Sequence, residues 1–337
     1  MREIEETGVR SGVEHWASPQ FRAEAAGWVR DVCHPLGIEL TGESEQPHCR
    51  PWSSAIRFGS TAGPVWFKVN GPGTRHEGPL LAVLSGVVPG LVAELLARDD
   101  VRGWSLTRDA GPVLRTVAEP GQLWSHWEGV LRRYAAAQLV LSAHVPDLLA
   151  TGVARVTPTT LPGQAAGLVE KLATLEPEKG GLSGQEACAL QDRLPELDAW
   201  CAELAASPLP LSVQHDDLHS SNICWGGSVE TARIIDWGDA SVGHPFGTML
   251  CTLNSIGWHV GLAPDDARLT RTRDAYLEPF TSYADRSDLV RHVALARRVG
   301  CVTRALSHQA AFLGASLAAE AKEDFPVRGW LLELLEN

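Results

Sequence analysis

Apolar residues recur at helical spacing over much of the chain, and the first clear case lies near its start. Phe21, Ala25 and Val32 fall on one face of a helix predicted from Pro19 to Cys33. Ser18 is a suitable N-cap, and the proline that follows suits the first helical position, where an N–H has no intrahelical partner. The pattern therefore predicts an amphipathic helix with one apolar face.

The pattern changes between residues 38 and 108, where short apolar runs have β character. Ala55–Gly59 and Val65–Val69 are predicted strands joined by a turn, and Trp104–Thr107 is a further strand. A short helix is predicted from His76 to Leu84, ended by a glycine. The loop Asp109–Pro112 follows and is the candidate boundary between two lobes.

Helical patterns dominate the rest of the chain. Helices are predicted at Leu123–Ser142, Gln164–Leu175, Gly184–Ala206 and Leu289–Ala321, and a strand pair at Asn222–Trp225 and Ala232–Asp236. The expected fold class is α+β. It has a small antiparallel β-sheet lobe in residues 1–107 and a larger helical lobe in residues 108–337.

Charge narrows the classes of partner. The 337 residues carry a formal net charge of −12, which disfavours nucleic acid and anionic membrane as partners. Residues 190–337 contain 20 Asp and Glu against 12 Lys and Arg. This excess indicates a cationic partner for the second lobe, and a solvated acidic surface is the alternative explanation.

The cysteines and the N-terminus suggest a cellular compartment. Seven cysteines are scattered without a CxxC pair, which fits neither a zinc ribbon nor a disulfide framework. Residues 1–9 are charged and lack the apolar stretch of a signal peptide. No apolar run reaches the length of a membrane span. A cytoplasmic location is therefore expected.

The most informative polar pattern lies between residues 211 and 240. His215 and Asp217 follow a strand-like apolar run, Asn222 comes next, and Asp236 ends a second apolar run. Phosphoryl transfer needs a carboxylate that orients the attacking hydroxyl and accepts its proton. It also needs oxygen ligands that hold Mg²⁺ on nucleotide phosphates. Asp217 can supply the first function, and Asn222 with Asp236 the second.

This motif resembles a known family. His215-x-Asp217-x-x-x-x-Asn222 has the spacing of the kinase catalytic loop, and with Ile-Ile-Asp236-Trp it resembles the aminoglycoside phosphotransferase family. The resemblance spans about residues 17–334 and implies a two-lobed protein-kinase-like fold that uses ATP and Mg²⁺. It implies that Asp217 is the catalytic base, that Asn222 and Asp236 are metal ligands, and that His215 packs the loop.

One lysine in the first lobe supports the same interpretation. Lys68 lies in the apolar run Trp66–Val69, where burial costs several kcal/mol unless the charge is paired. Glu77, on the next predicted helix, is the expected partner. In kinase-like folds such a pair positions the lysine on the nucleotide phosphates. A strand-edge lysine that points to water is the alternative.

The rest of the nucleotide site is implied by the resemblance alone. The family's phosphate loop joins the first two strands, which places it at residues 50–54, where Ser53 and Ser54 offer N–H and hydroxyl donors. An ordinary turn is the alternative, because the segment lacks the glycine-rich kinase motif. The adenine is expected against backbone groups of Leu106 and Thr107, where the lobes join.

Three residues near the motif have two explanations each. His219 either touches the substrate or holds the loop. Trp237 either lines the substrate cleft or belongs to the core, and Asp239 either helps bind the substrate or braces the loop.

The predicted function is an ATP- and Mg²⁺-dependent O-phosphotransferase that acts on a hydroxyl of a small, possibly cationic molecule. An aminoglycoside-like antibiotic is the leading substrate. The alternatives are a metabolic kinase of a sugar, an amino alcohol or a homoserine-like alcohol, and a non-catalytic nucleotide-binding protein. A protein kinase is disfavoured, because no Ala-Pro-Glu segment follows Asp236. The oligomeric state stays open.

Overall fold

The computed structural model describes residues 12–117 and 123–336, so the predicted absence of a signal in residues 1–9 lies outside the described part. The strands are β1 (Leu40–Cys49), β2 (Ser53–Ser60), β3 (Val65–Asn70), β4 (Leu95–Asp99), β5 (Trp104–Arg108), β6 (Ala154–Val156), β7 (Ser212–Gln214), β8 (Ile223–Cys224), β9 (Arg233–Ile234) and β10 (Ser241–Gly243). The first seven helices are α1 (Val13–Trp16), α2 (Pro19–Cys33), α3 (Glu77–Val87), α4 (Leu114–Val117), α5 (Leu123–Leu141), α6 (Val145–Ala150) and α7 (Leu161–Ala173).

The later helices build the larger lobe. They are α8 (Gly184–Ala205), α9 (Met249–Val260), α10 (Ala267–Leu277), α11 (Arg286–Ala311), α12 (Leu317–Lys322) and α13 (Pro326–Glu336). None of the helices in the described residues combines the length and the apolarity needed to cross a bilayer.

The small lobe is built on one antiparallel sheet in the order β1-β2-β3-β5-β4. Because paired residues share a face, the register defines a row across the sheet that contains His48, Ala55, Lys68 and Ser105. This row faces the cleft between the lobes. The α+β fold class and the small antiparallel sheet are therefore confirmed.

The opposite face of the sheet packs on α2 and forms its own core. Ser18 caps α2 by accepting a hydrogen bond from the Phe21 N–H at 3.1 Å, as the sequence predicts. Phe67 lies fully buried in this core, with its ring centroid 5.1 Å from Trp104 and 5.8 Å from Trp28. Aromatic packing therefore fixes the strand that carries Lys68.

A second and larger core runs through the helical lobe. It includes Leu80, Leu81 and Leu84 of α3, which are buried with side chains of α5, α8 and α11. Helix α3 thus belongs to the core of the large lobe, although it lies between strands of the small sheet in the chain. This placement matters for the site, because α3 begins with Glu77.

The chain passes between the lobes just after β5. The N–H groups of Arg108 and Asp109 still donate to Glu94 and Pro64, and Val113 then pairs with Cys224 of the large lobe. The domain division after Thr107 stays a prediction, and the chain crosses over residues 109–113.

Several predicted elements differ from the structure in their bounds. The edge strands β1 and β4 lack a strong alternation of apolar residues, because an edge strand leaves much of its length exposed, and sequence patterning missed them. Helix α3 continues through Gly86 to Val87. The helical segment predicted over Leu289–Ala321 is divided in two, because α11 ends at Ala311 and Gly314 adopts a positive φ of 84° before α12.

The aromatic core of the small lobe generates a stability prediction. Phe67→Ala should lower the free energy of unfolding by about 3–5 kcal/mol, because the cavity forms under a fully buried ring. Urea unfolding followed by tryptophan fluorescence measures this loss. The control Val101→Ala, at a side chain that is 78% exposed, should change stability by less than about 0.5 kcal/mol. Equal effects of the two changes would contradict the assigned core.

Candidate active site

A lysine held by two carboxylates lies at the centre of the cleft. The Lys68 Nζ is 2.6 Å from Glu77 Oε2 and 2.5 Å from Asp236 Oδ1. Burial alone lowers the pKa of Lys68, but the charges of Asp236 and Glu77 outweigh this effect and raise the pKa. The ammonium group is therefore permanently charged, and the predicted Lys68–Glu77 pair is present.

Glu77 also connects the lysine to the large lobe. Its Oε2 accepts a hydrogen bond from the Asn70 amide at 2.9 Å, and its Oε1 accepts one from the Trp237 backbone N–H at 3.0 Å. The carboxylate is almost fully buried, and Lys68, the Asn70 amide and the Trp237 N–H all donate to it. The segment after Asp236 is thus fixed to the first turn of α3.

Buried hydrogen bonds and ring contacts hold the loop that carries Asp217 in place. The His215 N–H donates to the Tyr134 hydroxyl at 3.0 Å, and the His215 Nε2 lies 2.8 Å from the Ile235 carbonyl. Burial lowers the pKa of His215, so the ring is neutral. The imidazole packs edge-on against Trp237 at 4.8 Å. These contacts agree with a loop-packing role for His215.

Asn222 and Asp236 are brought together by the β8–β9 hairpin. The Ile235 N–H donates to the Asn222 carbonyl at 2.9 Å, which sets the two segments side by side. The Asn222 side-chain N–H donates to the Asp217 carbonyl at 3.0 Å, so the amide oxygen is the atom that remains for a metal. Asp236 adopts a left-handed φ of 64°, a strained conformation that is typical of functional sites.

Asp217 lies between two basic side chains. Its Oδ2 is 3.6 Å from His219 Nε2, and its Oδ1 is 3.7 Å from Arg304. Burial alone would raise the pKa of Asp217, but the Arg304 charge and the nearby His219 side chain outweigh it and hold the pKa well below its ordinary value. The carboxylate is therefore ionised at neutral pH.

Arg304 of α11 is a site residue that the sequence analysis missed. Only 5% of it is exposed, and its Nη1 lies 2.8 Å from Asp239 Oδ2. Arg304 thus joins Asp217 to Asp239, which makes Asp239 a brace of the loop. No feature of the sequence separates Arg304 from Arg297 and Arg298 on the same predicted helix, so no signal could have found it.

Asp216 is a second residue near the site to which the sequence analysis assigned no role in the site; it served only as an argument against a protein kinase. It is buried with a φ of 57°, and the Ser241 hydroxyl donates to its Oδ2 at 2.5 Å. Burial raises the pKa of Asp216 to about 7, against the opposing effects of Ser241 and Arg304. The strained backbone turns Asp216 inward while Asp217, its neighbour, keeps access to the cleft.

A cavity of about 280 Å³ lies between the lobes at this cluster. Its lining includes His48, Lys68, Thr107, Asn222 and Asp236. The donor set fits Mg²⁺, which prefers hard oxygen ligands and is held in proteins by one or two side chains together with phosphate oxygens. Within the described residues no group of three His, Cys, Asp or Glu side chains is arranged to hold a metal without such help.

Two predicted nucleotide contacts do not reach this cavity. Ser54 pairs with Val69 and so faces α2, and its hydroxyl donates to the His48 carbonyl at 2.8 Å. Leu106 is fully buried in the α2 core, and its strand β5 is paired on both sides. The predicted contacts of Ser54 and Leu106 with a nucleotide are therefore wrong, because the sheet pairing uses their backbone groups and turns their side chains away.

The other predicted residues divide by position. Ser53 begins β2 rather than forming the turn, and its hydroxyl lies 3.0 Å from His48 Nε2, at the cavity edge. Thr107 lines the cavity. His219 contacts both Asp217 and Asn222 and lies within the loop. Substrate contact by Trp237 is wrong, because its side chain is fully buried and donates to the Ile234 carbonyl at 3.0 Å.

The family model of the phosphotransferase enzyme family matches residues 86–285, which is more than half of the chain. The chain belongs to the phosphotransferase enzyme family. It is therefore a phosphotransferase that acts on a hydroxyl group of a small molecule, and its resemblance to the aminoglycoside phosphotransferases is confirmed. A comparison with curated protein sequences found no match.

Solved structures share the fold of this phosphotransferase at low identity. An ethanolamine kinase of Plasmodium vivax has a TM-score of 0.61 at 13% identity, over 95% of this chain and 90% of its own. A macrolide 2′-phosphotransferase of Brachybacterium faecium has a TM-score of 0.55 at 19% identity, over 87% and 97%. A spectinomycin phosphotransferase, solved with ADP and spectinomycin, has a TM-score of 0.55 at 12% identity, over 92% and 97%. The two-lobed kinase-like fold is confirmed.

The bridging role of Glu77 generates a prediction. Glu77→Ala should lower the free energy of unfolding by about 3 kcal/mol, because it leaves a buried lysine with one partner and removes the acceptor of the Trp237 N–H. Urea unfolding measures the effect. The control Glu94→Ala removes the exposed pair with Arg108 and should cost less than about 1 kcal/mol. A loss as small as the control's would show that Glu77 does not connect the lobes.

The raised pKa of Asp216 predicts a dependence of stability on pH. The native state holds this proton up to about pH 7, whereas an unfolded aspartate releases it near pH 4. The contribution of Asp216 to stability is therefore complete below pH 4 and is lost as the pH rises to 7, by up to about 1.4 kcal/mol per pH unit. Relative to Asp216→Asn, the wild-type protein should lose unfolding free energy between pH 5 and 7. A difference that stays constant over this range would contradict the assignment.

Proposed function

We propose that this protein transfers the γ-phosphoryl group of ATP, with Mg²⁺, to a hydroxyl of a small-molecule acceptor, with Asp217 as the catalytic base. The observation that supports this proposal is the convergence of Lys68, Asn222 and Asp236 on one cavity, next to the ionised Asp217. An amine from one lobe and hard oxygen ligands from the other are the groups that a nucleotide triphosphate requires.

The carboxylate of Asp217 accepts the hydrogen bond of the acceptor hydroxyl and orients its oxygen. Because its pKa lies well below the ordinary value, the carboxylate is ionised and available as an acceptor at neutral pH. As the oxygen–phosphorus bond forms, the bond from the γ-phosphorus to the ADP oxygen breaks, and the hydroxyl proton moves to Asp217. Arg304 keeps the carboxylate in place throughout.

The nucleotide is held by both lobes. Lys68 would contact the phosphates, and Asn222 and Asp236 would hold the metal through the amide oxygen and the carboxylate; all three side chains line the cavity. Mg²⁺ bound there would neutralise charge on the transferring phosphoryl group. Ala110 and Gly111, just beyond β5, line the same cavity and provide unpaired backbone for the adenine, in place of the predicted Leu106.

The fold does not determine which small molecule is the acceptor. Proteins with this fold are named for macrolides, spectinomycin and ethanolamine, so antibiotics and amino alcohols are both served by it. An aminoglycoside-like antibiotic, the leading substrate from the sequence, and a metabolic alcohol are therefore both included in the test. An ADP-release screen over aminoglycosides, macrolides, sugars, amino alcohols and hydroxy acids identifies the acceptor.

The chemistry is tested by Asp217→Asn. This variant should lose at least a hundredfold in kcat/KM, and a loss of about 10⁴-fold would correspond to roughly 5 kcal/mol of barrier lowering. It should still show the rise in melting temperature that Mg-ATP causes, whereas Lys68→Met should lose that rise. The control Asp147→Asn, at an exposed carboxylate outside the cavity, should keep full activity.

Two results would contradict this function. Full activity of Asp217→Asn would remove the proposed base. A rise in melting temperature with Mg-ATP, combined with no stimulation of ADP release by any alcohol, would favour a non-catalytic nucleotide-binding protein. Label on polypeptide from γ-labelled ATP would indicate a protein kinase instead.

A further inference from the structure

Two further cavities lie in the helical lobe and meet at one arginine. A cavity of about 330 Å³ lies among α9, α10 and α11, and one of about 260 Å³ lies among α9, α11 and α13. Arg297 and Asn254 line both cavities. Neither residue belongs to the nucleotide site or to the loop that carries Asp217.

Arg297 has no anionic partner among the described residues. Its Nη2 donates to the neutral Asn254 Oδ1 at 2.8 Å, and its Nε is buried without any hydrogen-bond acceptor. None of the ion pairs in residues 12–117 and 123–336 includes Arg297. Because desolvating an unpaired guanidinium is unfavourable, the arrangement indicates that its counter-charge comes from a ligand.

Charged groups of both signs lie near Arg297. Burial lowers the pKa of Arg297, and the positive charge of Arg273 lowers it further. Arg273 is itself paired with Asp274 at 2.8 Å. Glu333 lines the smaller cavity, and its charge acts on Cys301, one helical turn along α11, whose pKa burial raises to about 12.

Helix α11 lines both cavities and also contacts the loop that carries Asp217. Arg297 and Arg304 are seven residues apart, so they lie on the same face of the helix, about 10 Å apart along its axis. Trp330 lines the smaller cavity, and its ring lies 5.7 Å from the Arg304 guanidinium, which contacts Asp217. The helix that lines both cavities with Arg297 thus also supplies the arginine at Asp217.

We propose that Arg297 and Asn254 bind an oxyanion group, a carboxylate or a phosphate, of the acceptor whose hydroxyl is phosphorylated at Asp217. The planar guanidinium matches the geometry of such oxygens. Trp258, which is 82% exposed at the larger cavity, offers an aromatic surface for the rest of the molecule. This substrate class rests on the proposed function. It differs from the cationic acceptor that the acidic composition suggested.

A binding experiment tests the site without any chemistry. Malonate and inorganic phosphate are titrated into the protein, with sodium chloride at equal ionic strength as the reference, and the melting temperature is recorded. The wild-type protein should gain about 2 °C at a concentration several times the Kd of the better anion, and the preferred anion identifies the group. Arg297→Met should lose this gain.

A matched variant controls for general electrostatics. Arg291→Met is the same change on the same helix, at an exposed arginine that pairs with Glu203 outside both cavities. It should keep the malonate or phosphate gain in full. No specific gain in the wild-type protein, or equal gains in the Arg297 and Arg291 variants, would overturn the proposal.

A turnover experiment tests whether the anion belongs to the acceptor. ADP release is compared between members of matched pairs, gluconate with sorbitol, serine with ethanolamine, and glycerol 3-phosphate with glycerol. The member that carries a carboxylate or phosphate should be preferred, and Arg297→Met should reduce this preference at least tenfold through KM, with kcat little changed. Stimulation by an aminoglycoside that is equal in the wild type and in Arg297→Met would overturn the proposal.

The two experiments separate failure of this inference from failure of the proposed chemistry. Asp217→Asn should bind malonate or phosphate as the wild type does, because Arg297 does not take part in phosphoryl transfer. Anion binding that depends on Arg297, in a protein without turnover, would count against the phosphotransfer step alone. Turnover of neutral or cationic alcohols without anion binding would count against Arg297 alone.

Discussion

The buried carboxylate of Glu77 is the contact on which the geometry of this molecule depends. It is the first residue of α3, a helix whose apolar side chains belong to the core of the large lobe. Its two oxygens bind Lys68 of the small sheet and the backbone N–H of Trp237, next to Asp236. One side chain therefore links the amine of one lobe to the segment of the other lobe that carries Asp236.

The loop beneath this contact is arranged by charge compensation. Asp217 and Asp239 are both held by Arg304, which is buried and comes from a helix far along the chain. The strained backbone at Asp216 directs its carboxylate inward to Ser241, and the strained backbone at Asp236 directs its carboxylate to the cavity. Such strain persists because the hairpin, the Tyr134 hydroxyl and α3 over-determine the conformation.

The division between the lobes also separates what is common from what is particular. The cavity at Lys68 contains the amine and the oxygen atoms on which the proposed transfer depends, and solved structures at 12–19% identity share the fold. The helices α9, α11 and α13 enclose a cavity lined by Arg297, which donates to the neutral Asn254 and has no anionic partner in residues 12–117 and 123–336. Acceptor choice is therefore expected to depend on those helices rather than on the loop.

The sequence by itself determined the chemistry and the general architecture. The spacing of Asp217, Asn222 and Asp236, the lysine in an apolar strand and the capped helix α2 are local patterns, so they could be recognised without coordinates. Strand pairing decided the rest. It turned Ser54 and Leu106 away from the cleft, because a residue's face depends on register. Packing against Tyr134 and His215 buried Trp237. Only the tertiary structure brought Arg304 to Asp217 and gave Arg297 a neutral partner, Asn254, because both depend on contacts between segments far apart in the chain, about which local spacing carries no information.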